Sequence, residues 1–363
     1  MKKQTNTNTH PTTSTQNAPK AKSIKLGIDV HADSYRVVRQ VDHATPQPAQ
    51  KFTPQDFLVW VKKQLSLAEK VYTCYEAGPF GYGLHRKLAE LGITNYVICP
   101  QNWDERGKGV KTDKTDALAL AQRLSSYVQG NERSLAIVRV PTPEEELARA
   151  ESRQREQLQA HKLRLEAQGR SLLLYHGVRI KGRWWLASHW EKLCLQISPR
   201  LQQLLSTLRE LVLAVQDHLK SATRDLKEKA TPQPYGLGAL TSQVIKREIL
   251  SWDRFKNRRQ VASYTGLCPG VHASGERHRH GPITRHGNKR LRTALIEMAW
   301  RLLRFQSKYR PIERRRVLLT STKAGGGAKQ KAIVAIGRQL AIDLWRLGTG
   351  RTTPEKLGLR MAA

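Results

Sequence analysis

An α/β domain, followed by long helices and then a compact, mostly helical basic domain, is the architecture this sequence predicts, on three observations. Between residues 24 and 98, apolar runs of strand length alternate with amphipathic stretches of helical period. From about 143 to 229 the apolar residues settle into a helical stripe sustained over many turns. A Pro/Gly segment, TPQPYGLGALT at 231–241, then introduces a basic region that runs to residue 363.

Taken in order, residues 1–23 (MKKQTNTNTHPTTSTQNAPKAKS) are polar, rich in Thr and Asn, and lack the apolar segment of a signal peptide, so a disordered tail is expected there. Residues 24–142 form the α/β domain. IKLGIDVHADSYRVVRQVD (24–42) alternates apolar and polar residues on either side of a turn-prone HADS, the pattern of a β-hairpin with Asp29 at the end of its first strand. A helix follows over 54–67. VYTCYEAG is a short buried strand that delivers Glu76 at its C-terminal end. GYGLHRKLAELG is an amphipathic helix closing on Gly92, and ITNYVICP is the next strand. In this alternation, functional groups gather at strand C-terminal ends.

Residues 143–230 read as an antiparallel helical hairpin or coiled coil, with Leu201, Leu204, Leu205, Leu208, Leu211, Val212, Val215 and Leu219 forming the stripe of its second helix. Trp184, Trp185 and Trp190 stand among basic residues between the helices. They are suited to capping the hairpin or to stacking on bases, and the usual burial of tryptophan favours packing. In residues 231–363, YGLGALTSQVIKREI resembles the start of a helix-hairpin-helix, where a glycine turn offers backbone N–H groups to phosphate. Within residues 260–300, glycines and Pro269 punctuate a loop carrying Ser274-Gly275, and KAGGGAKQKAIVAIGRQLAIDLWRL reads as a flexible hinge followed by an amphipathic helix that packs or oligomerises.

Charge restricts the function classes. Sixty-three Lys and Arg against thirty Asp and Glu give a formal net charge of +33, the footprint of a protein that displaces counterions from nucleic acid. Anionic lipid is the competing partner. No apolar stretch approaches the roughly 20 residues of a bilayer span and no lipidation signal is present, so no membrane association is expected. The cysteines Cys74, Cys99, Cys194 and Cys268 form no CxxC pair, which fits a reducing cytoplasm.

Against that charge, Asp29, Glu76, Asp113 and Asp116 are candidates for holding a divalent cation, magnesium (Mg2+) or manganese (Mn2+), against a phosphodiester. Asp113 and Asp116, in GKGVKTDKTDALALAQRL, are three residues apart on one helix face. An N-cap with its N3 partner would use the same spacing without metal. Asp29 and Glu76 tip the balance toward metal, because a charge at the end of a buried strand is costly unless compensated. Four converging carboxylates repel one another, and a magnesium ion or pair neutralises them.

The second constellation is QVASYTGLCPGVHASGERHRHGPITRHGNKRLRTALIEMAW (260–300). From Arg277 to Arg316 it carries 13 Lys and Arg against Glu297 and Glu313. Arg277, His278, Arg285, Lys289, Arg290 and Arg292 are its candidate phosphate contacts. By composition alone Ser274, before Gly275, is an ordinary loop serine. The histidines His272, His278, His280 and His286 have no zinc-finger spacing and fit phosphate contact better than zinc.

The order Asp, Glu, Asp-x-x-Asp, with the flanking LGIDVH, YEAGPFGYGLHRKL and KTDKTDALALA, resembles the DEDD-type, RuvC-like ribonuclease-H fold of the insertion-sequence 110 and 1111 family transposases. GLCPGVHASGERHRHGPITRHGNKRLRTAL is similar to that family's C-terminal transposase domain, in which a serine before glycine is the proposed DNA nucleophile, and Ser274 matches it. The likeness spans roughly residues 24–345. It implies a bacterial, nucleoid-associated recombinase acting on element-end and target DNA through a composite site of carboxylates and serine. A structured noncoding guide RNA and a homo-oligomer, dimer or tetramer, are further implications. Two other readings stay open on the residues themselves: a structure-specific nuclease using water with the same carboxylates, and a noncatalytic nucleic-acid scaffold whose carboxylates are caps and ion-pair partners.

Overall fold

The computed structural model describes residues 20–100, 113–228, 234–274 and 277–362, and within these spans residues 113, 114, 272–274, 277, 278 and 280 are described by their backbone alone. The expected tail lies outside the described residues. The chain divides into two compact units, residues 1–140 and 141–363.

The first unit is a five-stranded mixed sheet between helices. Its strands are β1 (Ala21–Val30), β2 (Tyr35–Val41), β3 (Gln50–Phe52), β4 (Ala68–Glu76) and β5 (Thr94–Ile98), in the order β3-β2-β1-β4-β5. β1, β2 and β3 run as an antiparallel meander, whereas β4 and β5 join parallel to β1. The hairpin turns over HADS, where the His31 N–H donates to the Ser34 carbonyl. β3 escapes the sequence reading because three residues are too short to show an alternation.

Alternation along β1 assigns the two faces. Ile24, Leu26 and Ile28 join Phe57 and Val61 of α1 (Pro54–Leu67) and Leu88 of α2 (Gly83–Glu90) in the core on one side. On the other side lies α3 (Asp113–Val128), with Leu120 and Leu124 packed around Cys74 and Ile98. Thr53 caps α1, accepting from the Asp56 N–H, and Pro54 opens it.

Gly27 sets how closely α3 approaches. A Cβ at residue 27 would lie 2.3 Å from the Ala121 nitrogen and 2.4 Å from the Ala117 carbonyl oxygen, both backbone atoms that cannot rotate aside. Small residues on both elements therefore allow direct contact of helix and sheet. Gly27→Ala is expected to destabilise the chain by about 1–3 kcal/mol, the usual cost of overpacking, as read by thermal unfolding. A neutral effect would mean that α3 does not seat on β1.

Among its described residues the second unit is helical apart from one hairpin and an isolated bridge between Pro234 and Met361. α4 (Pro143–Tyr175) opens with a capping box, Thr142 with Glu145, behind which Pro143 sits at the first turn. α5 (Ala187–Cys194) and α6 (Pro199–Glu228) follow. Arg155, early in α4, donates to Thr223, late in α6, while Leu173, late in α4, clusters with Leu201 and Leu205, early in α6. The two long helices are thus antiparallel. Trp184 and Trp185 are buried between them, donating to the Glu166 carbonyl and carboxylate respectively, with Lys162 2.8 Å from the same carboxylate. They pack rather than present a stacking surface.

α7 (Ala239–Ile249), α8 (Arg258–Thr265), α9 (Lys289–Phe305) and α12 (Gly326–Gly348), with the short α10 (Arg310–Glu313) and α11 (Arg316–Thr320), build a second core around Leu295, Met298, Leu302, Ile336 and Leu340. Gly326 and Gly327 lie inside the first turn of α12 and Gly325 caps it, so the expected hinge is the start of a core helix. Buried Ile333, Ile336 and Leu340 on α12 outweigh the glycines' entropic cost. Among the described residues no helix is long and apolar enough to cross a membrane.

Candidate functional site

Three of the four predicted carboxylates meet in one cleft of the first unit. Ile28 of β1 pairs with Tyr75 of β4 in parallel register, so Asp29 and Glu76 are each one step beyond that pair at neighbouring strand ends. Both fall on the side facing α3, since they alternate with the opposite-facing Ile28 and Tyr75. From α3, Asp116 enters the same cavity of about 190 Å3, whose wall is completed by Tyr35, Tyr75 and the AGPFG turn after β4. Asp116 immediately precedes Ala117, which is seated over Gly27. The close glycine contact thereby fixes the height of the third carboxylate above the strand ends.

Asp113 lies one helical turn before Asp116 at the start of α3, described by its backbone alone. All three described groups offer oxygen, the donor preferred by hard divalent cations. Among the described residues, no three His, Cys, Asp or Glu side chains already stand as a closed ligand group. The cleft supplies donors of the right chemistry along its wall rather than a finished cage.

Its surroundings add residues that the sequence reading missed. His31 Nε2 is 3.1 Å from Asp29 Oδ2, with the carboxylate side chain 22% exposed. The Asp-x-His spacing across a predicted turn was the available signal. Burial pushes the Tyr75 phenol up to about 12, so at neutral pH it stays uncharged in the core on the opposite face of the sheet. Burial, and secondarily the Glu76 charge, also raises Cys74, whose thiol sits 3.5 Å from the Leu120 carbonyl and serves packing rather than nucleophilic chemistry.

The serine segment is more ordered than the expected loop. β6 (Pro269–Ser274) and β7 (Arg277–Ile283) form an antiparallel hairpin in which Ser274 pairs with Arg277, His272 with Arg279 and Ala273 with His278. Polar and basic residues mask its alternation, which is why a loop was read there. Ser274 therefore stands at the far end of a two-stranded ribbon. Its side chain, with those of Arg277 and His278, lies outside the described residues, as do those of His272 and His280.

The base of that ribbon is tightly fastened. Thr284 N–H donates to the Cys268 carbonyl, Arg285 N–H to Gly266, and Asn288 N–H to Tyr264. At Gly287, with φ of 142°, a Cβ would sit 2.4 Å from the Tyr264 carbonyl oxygen. Of the predicted phosphate contacts, Arg285 and Lys289 are exposed, Arg290 pairs with Glu156, and Arg292 donates to the carbonyls of Thr265 and Arg285. The Arg292 guanidinium thus holds the loop joining β7 to α9.

Glu248 anchors this joint from α7. Its carboxylate receives Arg153 Nε and Nη2, both at 3.2 Å, and Asn288 Nδ2 at 2.7 Å, while Asn288 Oδ1 caps α9. Burial alone would raise its pKa, but these donors and the charges of Arg153 and Arg149 outweigh it and hold the group below the usual carboxylate range. A depressed folded-state pKa contributes stability above the unfolded value, lost as pH falls through the folded one. Glu248→Gln is expected to cost roughly 2–3 kcal/mol at pH 7, below the full buried-pair value because Arg153 is 39% exposed. The difference from wild type should shrink in acid; equal deficits at pH 7 and pH 3 in chemical denaturation would contradict this.

Comparison with known proteins shows what the chain is similar to. The family model for the IS116/IS110/IS902 transposases matches residues 233–312, which contain the β6–β7 ribbon. The putative transposase y4rJ of Sinorhizobium fredii is 32% identical over 300 residues, covering 75% of this chain and 75% of the relative. A second S. fredii putative transposase, y4qE, is 31% identical over 254 residues, covering 66% of this chain and 60% of its own length. The transposase of insertion sequence element IS1533 from Leptospira borgpetersenii is 24% identical over 312 residues, or 77% of this chain and 85% of the relative. With the likeness reaching through most of the chain as well as the ribbon, this protein belongs to the IS110/IS116/IS902 family of transposases.

Proposed function

We propose that the chain breaks and rejoins DNA strands at the ends of an insertion sequence, using the carboxylate cleft to hold a divalent cation and Ser274 as the nucleophile. The observation that carries this reading is the gathering of Asp29, Glu76 and Asp116, from two strands and a helix, in one cleft. The sheet order β3-β2-β1-β4-β5, with an antiparallel meander followed by two parallel strands, supports a ribonuclease-H-like domain of RuvC type.

Asp29, Glu76 and Asp116, with Asp113 one turn away, are the residues that would hold Mg2+ or Mn2+. When bound, the ion supplies charge neutralisation at the scissile phosphate and its leaving oxygen. Ser274 Oγ forms a bond to phosphorus, the bridging P–O bond to one deoxyribose breaks, and the leaving oxygen takes up a proton as the serine gives one up. A phosphoserine ester conserves the bond energy, so attack by another strand's hydroxyl rejoins DNA and regenerates the serine without ATP. Arg285 and Lys289, exposed near the ribbon's base, would contact flanking phosphates. A structured guide RNA and a homo-oligomer complete the proposed assembly, since exchange involves several strands at once.

The test is cleavage of labelled element-end DNA, with the guide RNA supplied, in Mg2+, in Mn2+ and in EDTA. Cleavage in both metals and none in EDTA is expected. Full cleavage in EDTA would overturn the metal reading, and salt-sensitive binding without breakage under every condition would indicate a scaffold.

A further inference from the structure

We propose that a second, purely electrostatic track for duplex DNA runs along α8, α10 and α12 of the C-terminal core, separate from the serine ribbon. A cavity of about 730 Å3 there is walled by Lys256, Arg258, Arg259, Arg338, Arg346 and Arg351. A neighbouring cavity of about 230 Å3 shares Arg338 and Arg346 with it and adds Arg310, Arg314 and Arg315. The shared residues make the two one groove.

Nine cationic side chains face a single acidic one in these walls. That one, Asp343, is buried, accepts from Tyr309 at 2.7 Å and Gln339 at 2.9 Å, and has Arg346 3.9 Å away. It stabilises the α12 contact and offers little to offset the groove's field. Clustering so much like charge costs folding stability, and such a cost is balanced when a polyanion occupies the site.

The aromatic residue of the groove wall is itself enclosed. Trp345 lines the larger cavity, is 5% exposed, and its indole N–H is one of only three buried side-chain polar atoms without a partner among the described residues. The α8 N-terminus does not carry the argument, because Asn257 already accepts from the Arg259 and Gln260 N–H groups.

Duplex DNA fits better than a single strand. Trp345 is the aromatic residue in these walls, and the Arg351 guanidinium covers its ring at 4.3 Å, so no open face remains on which unpaired bases could stack. Contacts are left to the phosphate backbone, which implies binding indifferent to sequence. The choice of DNA over duplex RNA rests on the function proposed above; the groove's affinity for polyphosphate does not.

The experiment is fluorescence anisotropy of the full chain with a 30-base-pair duplex of arbitrary sequence, in EDTA, across a salt series. The triple variant Arg258→Gln, Arg259→Gln, Arg338→Gln is compared with wild type, with the matching Arg-to-Lys triple, and with a control on α6, Lys220→Gln, Arg224→Gln, Lys227→Gln. Expected is at least a tenfold loss of affinity for the groove triple, a fall of about 2–3 in the slope of log K against log salt, restoration by the Lys triple, and a smaller change in the control. An unmelted far-ultraviolet spectrum shows that the triple is folded, and the single variants Arg258→Gln and Arg338→Gln, each expected to lower the slope by about 1, carry the test if it is not. Equal weakening by the control, or no weakening, overturns the groove. An effect on duplex RNA alone overturns DNA as its occupant. Failure of wild type to bind any duplex DNA would instead sink the proposed function, which groove failure alone leaves standing.

Discussion

Asp29→Asn is expected to slow DNA strand cleavage by at least a thousandfold, about 4 kcal/mol of barrier, while leaving the melting temperature at or slightly above that of wild type. Asparagine keeps the shape of the side chain and removes its charge. In a cleft shared with Glu76 and Asp116, losing one of three negative charges relieves repulsion, so a purely structural account predicts no large penalty. The His31 partner, 48% exposed, sets a small upper bound on what its contact with Asp29 contributes, about 0–1 kcal/mol. Mg2+ should raise the melting temperature of wild type and fail to raise that of the variant, because a cation that binds only the folded site stabilises it by mass action. Thermal scans with and without Mg2+, set beside cleavage rates on the same preparations, check both halves. Wild-type cleavage with unchanged metal stabilisation would remove Asp29 from the site.

Ser274→Ala should abolish recombination, a loss of roughly 10,000-fold or more given what deletion of a covalent nucleophile costs elsewhere, with duplex binding and folding retained. Ser274 pairs with Arg277 at the end of a ribbon whose base is fixed by the Thr284, Arg285 and Asn288 backbone bonds. Removing one hydroxyl disturbs none of those. Alanine at residue 263, another serine of the same segment, is the matched control and should recombine normally. Recombination assays on circular donor and target DNA distinguish the two variants.

Much of the first unit was legible because its signals are local. The span 54–67 read as α1, Gly92 closed α2, and HADS marked the turn that leaves Asp29 at a strand end. Asp29 and Glu76 could be placed at strand ends, but their adjacency depends on parallel pairing of β1 with β4 across nearly forty intervening residues, which no local pattern encodes. Gly27 was equally silent. Its importance appears only once α3 is seen lying on it.

In the second unit the long helices were read from their leucine stripe and the tryptophans from their usual burial. The β6–β7 ribbon was not, because Arg277, Arg279 and the histidines erase the alternation that would mark strands. Glycines 325–327 were misread as a hinge for a related reason: local propensity argued for flexibility, whereas the apolar face of α12 from Ala332 to Trp345 supplies the burial that makes them helical. The groove beside α12 was invisible in the sequence, since Lys256 and Arg351 are almost a hundred residues apart.

The most direct measurement is the site of DNA attachment. Reactions with element-end DNA in Mg2+ are stopped with denaturant, and protein-linked strands are digested and mapped by mass spectrometry. The account predicts a phosphodeoxynucleotide on Ser274 in wild type and none in Asp29→Asn. Cleaved strands without any protein attachment, or attachment to a residue other than Ser274, would contradict it.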